Sequence, residues 1–306
     1  MGSKRDRTRM QGLKWWWDKK VSGVWRVKIK GAANRAKVKQ SSVIEFAEYP
    51  SKLEPPGDGI TVILTAYSRT EYLADQIEAL RKQTVPPKEI WVWCNPCDAP
   101  LIDVSKLADR VVVSNTNWLF WGRFALGNMV RTPYVAFFDD DMLPQPKWFE
   151  NCLNTLKTRG DAILGGSGVI LPKTGGYSAK KKVGWNGRQV DQAEPVDLSG
   201  TCWFFAKKHL QYMWREEPKS WDNGEDIHLS YMALKYGNIE TVVPPHPEHQ
   251  KELWSCRPDF GQLVGKLNDA THKRAGHAAT RSMIVDSFRG DGWQVVSERY
   301  PEEVAS

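Results

Sequence analysis

The stretch Tyr134-Val-Ala-Phe-Phe-Asp139-Asp140-Asp141-Met142 constrains this chain more than any other. Five uncharged residues, partly β-branched and aromatic, run straight into three carboxylates, with Pro133 ahead of them. Such a run reads as a buried strand of a parallel sheet covered on both faces. Three adjacent Asp cannot continue into that core, because an unpaired buried charge is strongly destabilising. They must lie where the strand ends at a crevice, and open α/β sheets bind ligands outside the carboxyl ends of their strands. Clustered carboxylates at such a place suit a hard divalent cation, Mg²⁺ or Mn²⁺, that also grips a substrate phosphate.

The flanking sequence alternates strand and helix signals, which predicts an α/β fold with a mainly parallel sheet flanked by helices. Ile60–Ala66 is the first core strand, and Leu73, Ile77 and Leu80 mark one face of the helix after it. Glu89–Cys94 and Arg110–Ser114 read as further strands, with a partly helical stretch from Trp118 to Val130. Beyond the Asp triplet, a helix opens at Pro146 and a strand spans Ala162–Gly166. Residues 172–195 are Gly- and Lys-rich and read as a surface excursion or hairpin. Val196–Ala206 returns to the core, Asp222-Asn-Gly-Glu225-Asp226 caps a helix, and Ile239–Val243 is the last core strand. The tail after it is polar and basic.

Charge divides the chain. Residues 1–40 hold 13 Lys or Arg and two acidic residues, a net +11, which leaves −4 for the rest of a chain of net +7. That segment also carries Trp15, Trp16, Trp17 and Trp25. Basic residues interleaved with indoles suit a polyanion, either nucleic acid or an anionic lipid surface. With 15 Trp in all, several outside any strand pattern, some indoles are expected to line a binding surface. The Pro/Gly-rich stretch from Pro50 to Gly59 marks a boundary. The expected organisation is therefore an extension over 1–50, a catalytic domain over 51–250, and a basic tail or lid over 251–306. No apolar run approaches the ~18 residues of a membrane span, and Trp15–Trp17 is too short for a secretory signal. Five scattered cysteines point to reduced thiols and a cytoplasmic setting. Cys94-Asn-Pro-Cys97 lacks the second pair of a zinc site and reads as a strand-end loop.

Taken in order, these motifs resemble the GT-A fold of nucleotide-sugar glycosyltransferases over about residues 58–250. Phe137–Asp141 resembles its Asp-x-Asp motif, and Gly224-Glu225-Asp226 its Glu-Asp acceptor-site motif. Val-Pro-Pro-Lys-Glu-Ile-Trp-Val-Trp-Cys-Asn, the Arg123-Phe124 pair and Ser-Gly-Thr ahead of aromatics lean toward the exostosin-like family; the inverting family 2 group shares several of these. The resemblance implies a UDP-sugar donor, Mn²⁺ or Mg²⁺, and transfer to an acceptor hydroxyl of a glycan. It implies nucleotide-sugar contacts at Thr65, Ala66, Tyr67, Arg69, Asn95, Arg123, Asp139 and Asp140, with Asp141 and Asp139 on the metal. A third metal ligand is implied in the C-terminal part, with His246 first and His272 and His277 as rivals. Asp226, aided by Glu225, is the implied catalytic residue; at a helix start the positive dipole end favours its ionised form. Lys273, Arg274 and Arg281 are expected as a basic cluster closing on the diphosphate.

Two other functions compete. If the basic segment binds DNA, the acceptor is a hydroxymethylated base, flipped from the stack. A sugar nucleotidyltransferase shares the core fold but needs a Gly-rich phosphate loop, and Thr65-Ala-Tyr-Ser-Arg69 has no glycine.

Overall fold

The computed structural model describes residues 58–96, 106–177, 180–264 and 276–301. Expectations for residues 1–50, Cys97, His272, Lys273 and Arg274 lie outside them. The first half of the fold is β1 (Ile60–Ala66), α1 (Leu73–Arg81), β2 (Glu89–Cys94), β3 (Arg110–Val113), α2 (Trp121–Gly127) and β4 (Tyr134–Phe138). Its four strands are parallel, in the order β3-β2-β1-β4. The second half is α3 (Trp148–Arg159), β5 (Ile163–Ile170), β6 (Lys181–Gly184), β7 (Glu194–Val196), β8 (Leu198–Ala206), α4 (Glu225–Gly237) and β9 (Thr241–Val243). It closes with α5 (Pro258–Val264), α6 (His277–Gly290) and α7 (Val296–Arg299). Among the described residues all strands join one mixed sheet, β3-β2-β1-β4-β8-β5-β9-β7, with β6 added to β5.

Both faces of the parallel half are covered, as its near-continuous apolar runs require. Ile60, Val62 and Leu64 pack on one side with Ile77, Leu80, Phe138 and Phe149. The alternate residues Ile63, Trp91, Val135 and Phe137 pack on the other with Phe124 and Trp203. Burying one such side chain contributes about 1.5–3 kcal/mol.

The sheet changes direction at β8. It runs antiparallel to both β4 and β5, so the first residues of β8 lie beside the end of β4. Two expectations change here. Of the two readings of residues 172–195, the surface excursion holds only in part: β6 folds back antiparallel on β5, as the hairpin reading has it, and β7 pairs β9. Residues 277–301 are not a loose polar tail: Ile284, Val285, Phe288, Trp293 and Val295 are buried against Leu198 and Tyr231. Asp197 fastens this segment by accepting hydrogen bonds from the Leu171 and Val296 amides.

β5 is glycine-rich because its neighbours' side chains occupy the space a Cβ would need. A Cβ on Gly165 would lie 1.7 Å from Ser199 Oγ, and one on Gly166 2.2 Å from Ser255 Oγ. Overpacking a close-packed interior costs about 1–3 kcal/mol. We therefore expect Gly165→Ala to lose stability of that order, read as a lower denaturant midpoint with an unchanged m value; an unshifted midpoint would show that Ser199 moves aside freely.

Candidate active site

The carboxyl ends of β1 and β4 open into a cleft of about 280 Å³. β4 is followed by a tight turn, Asp139–Met142, and the turn is held from two sides. Gln76, buried on α1, donates Nε2 to the carbonyls of Asp139 (2.8 Å) and Met142 (2.7 Å). The Asp139 amide donates to the carbonyl of Thr201 on β8 (2.9 Å). Thr201 adopts φ 70°, a left-handed conformation that a β-branched residue rarely takes. It sits where the β5–β8 register shifts, between Gly165 and Ser167, so the strand is bulged beside the cleft.

Arginines meet these carboxylates. Arg69, from the loop after β1, pairs with Asp140 and reaches Asp141 at 3.3 Å. Arg123, on α2, is only 3% exposed; it pairs with Asp139 and reaches Glu225 at 3.5 Å. Its guanidinium lies over the Trp203 ring, 4.8 Å from the centroid. On the far wall, Glu225 and Asp226 begin α4, whose N-cap Gly224 has φ 91°. Asp226 Oδ2 accepts from Arg281 at 2.6 Å, and Oδ1 from the Ile227 amide at 2.8 Å. Arg281 also donates to Asn223 Oδ1 and lies over the Tyr177 ring.

Three guanidinium groups thus face five carboxylates in the cleft, two positive charges short if all are ionised. Burial, then Asp139, pushes the Asp141 carboxyl up to about 7. Burial, then Asp226, pushes Glu225 up to about 7. Asp140 is raised by burial, against the pull of Arg69. Asp141 Oδ1 is buried and has no hydrogen-bond partner.

Most of the residues expected at a nucleotide-sugar site line this one cleft: Thr65, Tyr67, Arg69, Asn95, Arg123, Asp139, Asp140, Asp141, Glu225 and Asp226. Asn95 is already engaged there, donating to the Leu119 carbonyl and accepting from the Trp118 amide. Ala66 is buried at the end of β1 and does not line the cleft. Nor does His246. β9 lies three strands across the sheet from β4, and the ring beyond it packs between Trp148 and Trp254. Its Nδ1 faces the Pro244 carbonyl at 2.7 Å and its Nε2 the Ser255 hydroxyl at 3.0 Å, and burial lowers its pKa to about 4. His277, at the start of α6, does line the cleft. Arg281 is not the mobile lid residue expected, because it is buried on Asp226. Sequence reasoning missed Tyr177, Phe120, Asn117 and Asn223 as lining residues. The polar Asn117 and Asn223 lay in loops next to motifs already noted, whereas Tyr177 carried no signal.

An α/β sheet that brings an acid triplet at a strand end and a Glu-Asp pair at a helix start into one crevice has the GT-A architecture of a glycosyltransferase. The chain belongs to the glycosyltransferase like family 2, whose family model matches residues 55–264. Solved structures similar to it include TarS of S. aureus, at 15% identity and TM-score 0.43 over 70% of this chain and 44% of that one. TarS 1–349 gives 16% identity and TM-score 0.44, covering 71% and 73%. TarS 1–349 in complex with UDP gives 15% and 0.45, covering 62% and 58%. The chain thus spans less than half the length of the first TarS chain. No curated protein matches it.

The raised carboxyl of Asp141 has a consequence for stability. The folded chain keeps a proton there that the unfolded chain, with an ordinary aspartate near 3.8, releases. The group therefore subtracts stability as pH rises through the window from about 4 to about 7. Asp141→Asn removes that share. In metal-free buffer its melting temperature relative to wild type should climb across the window, by the equivalent of about 1–3 kcal/mol. A difference that stays flat with pH would refute the shift.

Proposed function

We propose that this glycosyltransferase moves a sugar from a UDP-sugar to an acceptor hydroxyl on a glycan, with a divalent cation at the Asp triplet. The observation that carries the reading is that Asp139–Asp141 and Asp226 face one another across a single cleft. Uridine as the base follows the resemblance to exostosin-like and family 2 enzymes.

The residues present fit such a cation. The cleft is short of positive charge, and Asp141 Oδ1 is buried without a partner. Among the described residues no three His, Cys, Asp or Glu side chains form a ready ligand set. That suits Mg²⁺ or Mn²⁺, which is commonly held by one or two carboxylates and completes its shell with water and substrate phosphate. Asp141 and Asp139 would hold it, and His277 replaces His246 as the third candidate. When bound, it stabilises negative charge on the diphosphate.

The protein's own groups do the rest. Asp226 takes the proton of the acceptor hydroxyl; the oxygen bonds to the anomeric carbon as the carbon–phosphate oxygen bond breaks, and the diphosphate leaves with the electron pair. Each carboxylate oxygen of Asp226 accepts a hydrogen bond and keeps a further lone pair for the acceptor. Arg281 orients that carboxylate, as a positioning residue. Arg69 shares the triplet's charge until donor phosphate arrives. A base on the acceptor side implies inversion, which the anomer of the product reads. The cysteines Cys94, Cys152, Cys202 and Cys256 are buried free thiols, in keeping with a reducing compartment. No helix among the described residues is long and apolar enough to cross a membrane. The basic segment 1–40 enters this reading as a separate contact to a polyanion.

Three measurements test the proposal. Asp226→Asn should lower turnover by ~10²–10⁴-fold with little change in UDP affinity; a variant that merely melts earlier would make Asp226 a helix cap. Chelator should abolish transfer and Asp141→Ala should mimic it, whereas full activity in excess chelator rules out the cation. In titrations with Mn²⁺, UDP should bind more tightly than GDP, and the reverse order refutes uridine.

A further inference from the structure

Three exposed indoles that the transfer chemistry above does not use lie close in the chain or in packing to residues of the cleft wall. Trp118 is 55% exposed, Trp221 49% and Trp214 37%. Trp118 sits between Asn117 and Leu119, and Trp221 lies two residues before Asn223; all three of these neighbours line the cleft. The indoles share one backing. Trp121 is buried, stands 5.1 Å from the Trp221 ring and 6.4 Å from the Trp214 ring, and donates its indole N–H to the Trp221 carbonyl. Its own amide donates to the Trp118 carbonyl at 3.1 Å. Trp121 in turn rests against the His228 ring of α4. The Trp214 and Trp221 rings therefore stand against a buried base, to which the Trp118 backbone is tied.

Large exposed indoles gathered near a site mark a contact surface. The surrounding charge selects what fits. Ser114, Asn115, Thr116, Asn117, Leu119 and Phe120, around Trp118, include no charged residue. Around Trp214 and Trp221, Arg215 and Lys219 are offset by Glu216, Glu217 and Asp222. Lys219 is already paired with Asp291 and Glu216 with Lys235. A strand of nucleic acid needs a basic track beside its stacking platform, and the residues flanking these indoles, among those described, carry too few unpaired cations to form one. A pyranose needs neither. Its face of C–H bonds carries partial positive charge that matches the negative face of an indole, and its hydroxyls suit the amides and hydroxyls beside Trp118.

We propose that Trp221, with Trp118 and Trp214, forms the acceptor subsite and stacks on a sugar ring of an uncharged glycan. This rests on the sugar-transfer reading and narrows its acceptor class. It places the stacked ring beside Asn223 and hence beside the start of α4, where Asp226 stands.

The test is calorimetry on the full chain with UDP and Mn²⁺ present, using chitotriose, cellotriose, maltotriose and mannotriose, and a single-stranded DNA oligonucleotide. Wild type, Trp221→Ala and Trp221→Tyr are compared. At least one neutral trisaccharide should bind wild type; Trp221→Ala should weaken it about ten-fold and Trp221→Tyr should restore most of the loss. UDP affinity should be equal in all three proteins, which separates a lost platform from a misfolded chain. The proposal is overturned if no neutral trisaccharide binds up to millimolar concentration, if their binding ignores Trp221→Ala, or if the variant weakens only DNA. A wild type that fails to bind UDP, yet binds a trisaccharide in a Trp221-dependent way, removes the donor reading and leaves the platform standing.

Discussion

Arg123 joins the two halves of the cleft through a guanidinium with almost no access to water. It pairs with Asp139 at the end of β4 and reaches Glu225 at the start of α4, over the ring of Trp203. Breaking a buried pair by removing one partner costs about 3–5 kcal/mol, because the other charge is left stranded. Neither wall can shift without exposing that cost. The distance across the cleft is thus set by a side chain that fills its floor.

Around this strut the site holds more negative than positive charge. Arg69 takes two further carboxylates and Arg281 one, yet Asp141 and Glu225 remain raised to about 7. A fold built only for stability would replace such a cluster with apolar residues, which often does no harm or gains stability. Under the proposed function, the acids are explained by the charge that donor and cation would bring. Thr201 belongs to the same account. Its left-handed backbone, strained by about 1–3 kcal/mol, aims a carbonyl at the Asp139 amide and fixes the direction in which the triplet faces.

Much of this could be read in the sequence because two patterns coincide there. The parallel strands are buried on both faces, so they appear as unbroken apolar runs, and acids abutting such a run mark its exit. The antiparallel β8 was legible as a core strand but not in its direction, which no periodicity encodes. The helix α6 was missed for one specific reason. Its buried positions 281, 284, 285 and 288 keep the spacing of an amphipathic helix, but the first is an arginine. Arg281 holds a place that an apolar residue normally fills because its partner is Asp226, 55 residues away in sequence. His246 misled in the opposite sense: its position after a core strand matched a ligand, while its neighbours Trp148 and Trp254 made it part of the core.

The reversal of direction at β8 bears on how such an enzyme can diversify. Between parallel strands, the chain must cross back to the far edge of the sheet, so the crossover's length and packing are bound to the core. β5 and β8 are antiparallel neighbours, and the connection between them, residues 171–197, leaves and re-enters the sheet on the cleft side. It already delivers Tyr177 to the cleft wall. Lengthening a surface connection costs only about 0.6 kcal/mol per doubling. Insertions here would reshape the entrance while leaving β4, its acid triplet and the Arg123 strut where they are. The fold thus leaves the turns around β6 and β7 free to vary, next to an acid cluster that has little freedom to do so.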